Sequence, residues 1–218
     1  MSAPTLDPTR THTLADTPYI KLFELVYEDG THYYTATRRP LTKTCALKSE
    51  RELMVELPDA VGCCLVLAPE REEPRIVLFH EYRYPCGQFL LSIPSGLIDE
   101  ADRQAQDAIA SAMSREIEEE CGITLTDADD LTIISPFLFN TPGLTDESCA
   151  LVCVTVRSAS ASSLSHAHAQ GSERMGRFVL LTKDEAREVL SRGRDDEGHF
   201  LPMITWCALT HFTTRDWG

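Results

Sequence analysis

The chain has 218 residues and a formal net charge of −14, a length that suits one sizeable domain with at most a small accessory unit. So acidic a surface repels nucleic acid and anionic lipid, which excludes partners gripped by a basic face. No apolar run reaches the roughly 18 residues of a membrane span. The opening MSAPTLDPTRTHTLADTP lacks an apolar signal core, so residues 1–17 read as a flexible tail and the protein as cytoplasmic. The eight cysteines include no C-x-x-C pair. Cys63, Cys64, Cys149 and Cys153 lie in apolar runs, where a thiol fills core. The nearest approach to metal-ligand spacing is His166-Ala-His168, in a Ser/Ala-rich stretch that reads as a solvated loop.

YIKLFELVYEDGTHYYTATRR, residues 19–39, alternates around Asp29-Gly30 and predicts a hairpin. Residues 18–57 form an N-terminal β subdomain on this reading, and 58–218 the main domain. AVGCCLVLAP and RIVLFHEYRY are apolar runs of strand length, expected to be neighbours, and GQFLLSIPSG is a short strand ending at Pro94 and Gly96. A long helix lies between Asp102 and Cys121: Ile109, Met113, Ile117 and Cys121 recur every fourth residue, and Gly122 stops it. LTIISPFLFNTPG is a strand broken by Pro136 and joined through a Pro-Gly loop to SCALVCVTVRS. SASASSLSHAHAQGSER is a low-complexity loop, and GRFVLL a strand. TKDEAREVLSRG opens with the capping box Thr182/Glu185 and closes at Gly193, and a last helix covers about 203–213. Strands and helices in this mixed order predict an α+β fold, with helices on both sides of a mixed sheet.

One stretch resists local energetics. In SREIEEECGI, Glu116, Glu118, Glu119 and Glu120 crowd the C-terminal end of the long helix, where the helix dipole disfavours negative charge. Glu116 and Glu120, four apart, repel each other by roughly 0.2–0.5 kcal/mol. Glu116, Glu119 and Glu120 share a helix face, so either the run is a solvated acidic surface or the three carboxylates converge on a hard divalent cation. Mg²⁺ takes carboxylates of this kind and completes its shell from water and phosphate. Arg115 stands beside them to orient one carboxylate.

The segment SIPSGLIDEADRQAQDAIASAMSREIEEECGI resembles the signature of the Nudix hydrolases. Its second half matches the Arg-Glu-apolar-x-Glu-Glu-x-Gly-apolar pattern at Arg115, Glu116, Ile117, Glu119, Glu120, Gly122 and Ile123. Gly96 is in place, but Asp102 stands where the early Glu belongs, and the connection to Arg115 is five residues longer than the family's. Asp102 and Asp107 are both candidates for that acid. HEYRYPCGQFLLSIPSGLID, the loop FNTPGLTDESC and the opening hairpin are similar to the ADP-ribose and ADP-sugar pyrophosphatases of the family, so the likeness runs over about residues 19–210.

That resemblance implies a Nudix α/β/α sandwich with an N-terminal β-hairpin subdomain. The implied activity is hydrolysis of a nucleoside diphosphate sugar, ADP-ribose or an ADP-sugar first, with two or three Mg²⁺ (or Mn²⁺) ions. UDP-glucose, GDP-mannose or a dinucleoside polyphosphate is the alternative substrate, and a catalytically silent nucleotide-binding domain the alternative role. Glu116, Glu119, Glu120 and the Ser95 carbonyl would be metal ligands, with Arg115 supporting them. Ser92 replaces a Glu common in the subfamily. Arg83 would meet the diphosphate, while Tyr19, Tyr34 and Arg39 would hold the base. Glu173 would accept the proton of the attacking water, with Glu119 in reserve. A homodimer with exchanged N-terminal strands is implied as well.

Overall fold

The computed structural model describes residues 3–167 and 174–217. The chain divides into two compact units, Met1–Pro58 with Phe137–Cys149, and Asp59–Pro136 with Ala150–Gly218.

In the first unit three antiparallel strands lie in the order β1 (His12–Asp16), β2 (Lys21–Val26), β3 (His32–Thr37). The β2–β3 hairpin turns at Asp29-Gly30. Gly30 takes φ +89, which favours glycine, and the Asp29 carboxylate accepts from the Thr31 N–H at 2.9 Å. The segment read as a tail therefore holds a strand. Every residue of β1 is exposed, so it carries no apolar alternation for a sequence reading to detect. Leu6, further upstream, is buried with Phe23 and Leu25. The Pro-Gly loop is tied to β3: Ala36 N–H donates to the Leu144 carbonyl at 3.0 Å and the Tyr33 hydroxyl to that of Gly143 at 2.9 Å. A short helix, α1 (Glu50–Leu53), starts in a Ser49/Glu52 capping box.

The second unit is built on β4 (Ala60–Leu67), β5 (Arg75–Arg83), β6 (Gln88–Ser92), β7 (Ser95–Leu97), β8 (Asp130–Phe139), β9 (Ser148–Val156) and β10 (Met175–Leu181). The path is β10-β5-β4-β9-β8, with β6 on β5 and β7 on β4. β4 and β5 pair antiparallel, as expected of neighbours. Contrary to expectation, Pro136 does not break its strand. β8 runs through it at the edge of the sheet, the position where proline is tolerated. Pro136 is also where the chain passes from the second unit to the first.

β4 reads almost wholly apolar because both of its faces are covered. Cys64, Val66, Ile76 and Leu78 face a core with Ala186, Val189, Ala208 and Leu209. These come from α4 (Lys183–Arg192) and α5 (Met203–Thr214). The opposite phase of β4, with β7, receives α3 (Ala108–Cys121). The α+β class and its layers thus hold. The expected long helix is α3, capped by Asp107 and preceded by a short helical turn, α2 (Glu100–Arg103). All eight cysteines are free thiols, six of them buried. No described helix is long and apolar enough to cross a membrane.

Candidate active site

α3 buries Ile109, Met113, Ile117 and Cys121, the stripe read from sequence, and stops at Gly122, whose φ of +70 ends the helix. The exposed carbonyls of its last turn are met from a distant segment. Ser165 N–H donates to Cys121 O at 3.0 Å, and His166 Nδ1 lies 2.6 Å from Glu120 O. The His166 ring stacks on Phe178 at 3.9 Å between centroids. The solvated-loop reading of His166 is therefore corrected: it finishes the helix that carries the acids. Its companion His168 lies outside the described residues.

The acidic run is not one solvated face. Glu118 is exposed and accepts from the Thr124 hydroxyl at 3.1 Å. Glu116 and Glu120 are 6% and 3% exposed. The Glu116 carboxylate lies directly over Gly96: a Cβ built there would stand 1.9 Å from its Oε1. Glu120 Oε2 accepts from the Ser95 N–H at 2.8 Å. The two ends of the motif, Ser95-Gly96 on β7 and the glutamates on α3, thereby meet, and only glycine leaves room for the contact.

Arg115 is the hub. Its Nη1 donates to Glu116 Oε1 at 2.8 Å and to Glu119 Oε2 at 3.2 Å, and its Nη2 to Asp102 Oδ2 at 2.8 Å and to Leu97 O at 2.9 Å. Asp102 is 3% exposed and also accepts from the Ser111 hydroxyl at 3.0 Å. Asp107 is exposed and caps α3 through the Ala110 N–H at 3.0 Å. Of the two candidates it is Asp102 that reaches Arg115, and the residues after α2 form the turn before α3. Burial pushes the Asp102 carboxyl up, but the hydrogen bonds from Arg115 and the Asp99 N–H outweigh it and hold the group below its ordinary value. Burial likewise works against the Arg115 charge, and Asp102 and Glu116 more than restore it.

The remaining expected site residues are spread over both units. In the second, Arg83 is half-exposed and paired with Glu81 at 2.9 Å. Ser92 is buried, and its hydroxyl has no hydrogen-bond partner among the described residues. In the first, Tyr19 and Tyr34 are 81% and 58% exposed, so their ring faces stay open. Arg39 is buried instead. It donates to the Asp146 carbonyl at 2.9 Å and to Ser148 Oγ at 3.2 Å. Those bonds tie the Pro-Gly loop to β3, and we assign Arg39 that role rather than a base contact. Glu173 lies outside the described residues.

The donors that α3 presents are carboxylate oxygens, those of Glu116 and Glu120 buried, on a protein of strongly negative charge. That set fits a hard divalent cation such as Mg²⁺.

No protein-family model matches the chain. It is 42% identical over 81 residues to a Caenorhabditis elegans protein named "Putative nudix hydrolase 2", covering 37% of this chain and 33% of that protein. It is 30% identical over 98 residues to an uncharacterized Nudix hydrolase of Schizosaccharomyces pombe, covering 45% of this chain and 43% of the other. The chain thus matches less than half the length of these curated relatives. In fold it is similar to a crystal structure of an ADP compounds hydrolase, with a TM-score of 0.55 and 15% identity over 97% of this chain and 94% of that one. Part of the chain is thus similar in sequence to two proteins named as Nudix hydrolases, and the whole of it is similar in fold to the ADP compounds hydrolase.

Proposed function

We propose that the protein hydrolyses the diphosphate bond of a nucleoside diphosphate sugar, ADP-ribose or an ADP-sugar first, to a nucleoside monophosphate and a sugar phosphate. The observation that carries this reading is the pair Glu116 and Glu120, buried against Gly96 and the Ser95 N–H instead of facing water. Buried carboxylates on one helix repel each other, and a shared cation relieves that repulsion. The fold neighbour, which acts on ADP compounds by its name, supports the substrate class.

Glu116, Glu119, Glu120 and the Ser95 carbonyl would hold Mg²⁺ or Mn²⁺. Bound there, the ion supplies charge neutralisation on the diphosphate and a water of lowered pKa. The chain's own part is positioning. Asp102 holds Arg115, and Arg115 holds Glu116 and Glu119 at their carboxylates. Arg83 binds phosphate oxygens from β5, and Tyr19 and Tyr34 offer ring faces to the base. Glu119 or Glu173 takes the proton of the attacking water. Such phosphoryl chemistry rests on positioning and electrostatics more than on covalent steps.

The test is a screen of nucleoside diphosphate sugars with and without Mg²⁺ or Mn²⁺, its products separated by chromatography. AMP from ADP-ribose or an ADP-sugar, formed only with the metal, is the expected result. UMP or GMP alone moves the substrate assignment elsewhere, and no monophosphate from any of them overturns the reading.

A further inference from the structure

The other face of the main sheet carries a second polar cluster, which the reading above does not use. His80 sits on β5 in phase with Ile76 and Leu78, which belong to the core formed with α4 and α5. Phe79, its neighbour, points to the opposite face. His80 is 5% exposed. The connection between α4 and α5 brings Asp195, Glu197 and His199 over it, in the run Asp195-Asp196-Glu197-Gly198-His199.

That run is folded into a fixed shape. Asp195 Oδ1 accepts from the N–H groups of Glu197 at 3.0 Å and His199 at 2.8 Å. Asp195 N–H donates to the His199 carbonyl at 3.1 Å, and Gly198 takes φ +92 to make the turn. The His199 ring thereby stands 4.1 Å from that of His80 between centroids. Glu197 Oε2 lies 4.0 Å from Nδ1 of both imidazoles. Its other oxygen is paired with Arg177, which anchors the carboxylate from the far side.

We propose that His80, His199 and Glu197 form a second metal site, one for a borderline divalent cation of the Zn²⁺ class. One ligand atom from each residue lies within 4.8 Å of the other two. Zn²⁺ binds imidazole nitrogen and carboxylate oxygen at about 2.0–2.2 Å, which sets the donors of a tetrahedral shell about 3.3–3.5 Å apart. A contraction of about an ångström, within reach of side-chain rotation, closes the set. Asp195 completes the arrangement as the outer partner: its Oδ2 lies 2.7 Å from His80 Nε2. A proton held there fixes the tautomer that leaves a lone pair on Nδ1, the way carboxylates orient metal-ligating histidines. His199 Nδ1, now 3.2 Å from the same carboxylate oxygen, exchanges that contact for the ion.

The donor chemistry separates this site from the one on α3. Imidazoles select Zn²⁺, Co²⁺ or Ni²⁺, whereas an all-oxygen set suits Mg²⁺ or Mn²⁺. A bound ion here would clip the α4–α5 connection to β5. Its effect is therefore read in stability, independently of any hydrolytic activity.

The test titrates the metal-stripped full chain with Zn²⁺ alone, in a buffer whose excess Mg²⁺ occupies the α3 carboxylates. Calorimetry follows binding, and the absorption of bound Co²⁺ reports nitrogen ligation. One equivalent of Zn²⁺ is expected, with Tm rising by about 5 °C at a hundredfold excess over Kd. His199→Ala and Glu197→Gln, at sites that are not fully buried, should each weaken Zn²⁺ at least tenfold. Glu120→Gln should leave it unchanged. No Zn²⁺ uptake in the presence of Mg²⁺ overturns the proposal and leaves a hydrogen-bonded imidazole–carboxylate tie. Uptake that Glu120→Gln abolishes and the other two variants spare overturns it as well.

Discussion

Two polar clusters lie on opposite faces of one sheet, and their donors differ in kind. On the α3 side, carboxylates surround a built-in cation, Arg115, which touches Asp102, Glu116 and Glu119 at once. On the α5 side, two imidazoles and two carboxylates meet, with Arg177 on Glu197 at the rim. The first presents oxygen alone. The second places nitrogen and oxygen donors within 4.8 Å of each other. The difference teaches that charge density by itself does not mark a metal site. What the neighbours leave available decides which ion each cluster would accept.

Glu120→Gln breaks the comparison hardest. It keeps the side-chain volume and removes the charge nearest the Ser95 N–H. If the α3 carboxylates hold the ion of a hydrolase, turnover falls by about 100-fold or more, since a metal's charge stabilisation is worth several kcal/mol. Turnover within twofold of wild type would detach α3 from the reaction. Gly96→Ala sharpens the same point with a smaller effect. Its Cβ collides with the end of the Glu116 side chain, which is flexible enough to swing aside. Activity should drop about tenfold while stability changes by no more than about 1 kcal/mol. A variant that unfolds, or that works normally, shows that the Glu116–Gly96 contact does not set the carboxylate's position.

The α3 cluster was legible because its parts are contiguous. A four-residue apolar repeat, a glycine stop and acids that oppose the helix dipole all fall within one stretch of chain. The choice between Asp102 and Asp107 was not, since two aspartates five positions apart look alike until the turn after α2 sends one to Arg115 and the other to a helix cap. The α5-side cluster left no sequence signal at all. His80 and Asp195 are 115 positions apart, and each alone reads as an ordinary strand or loop residue. β1 escaped notice for a different reason, because a strand exposed along its whole length has no alternation to read. Arg39 was placed by likeness on the base, and burial against Asp146 and Ser148 shows it engaged in holding the fold.

Asp102→Asn has the smallest expected effect and tests whether the extended box keeps its internal ion pair. Breaking a fully buried pair by removing one partner costs about 3–5 kcal/mol. The Arg115 side chain is 29% exposed, so water recovers part of that, and about 1–2 kcal/mol of destabilisation is expected at neutral pH. Activity should fall only a few-fold, because Glu116 and Glu119 still hold Arg115. The pH profile identifies the cause. Arg115 and the Asp99 N–H depress the Asp102 pKa in the folded chain below 3.8, while the unfolded chain titrates near about 3.9. The contribution of the pair is therefore fully present above the unfolded value and is lost as pH falls through the folded one. Urea unfolding of wild type and variant should differ by a constant amount from pH 5 to 8 in this reading, and the gap should narrow as the pH falls through the depressed folded pKa. A gap that does not narrow as the pH is lowered would assign the loss to the side chain's hydrogen bonds with Ser111 and Asp99, with the charge on Arg115 playing no part.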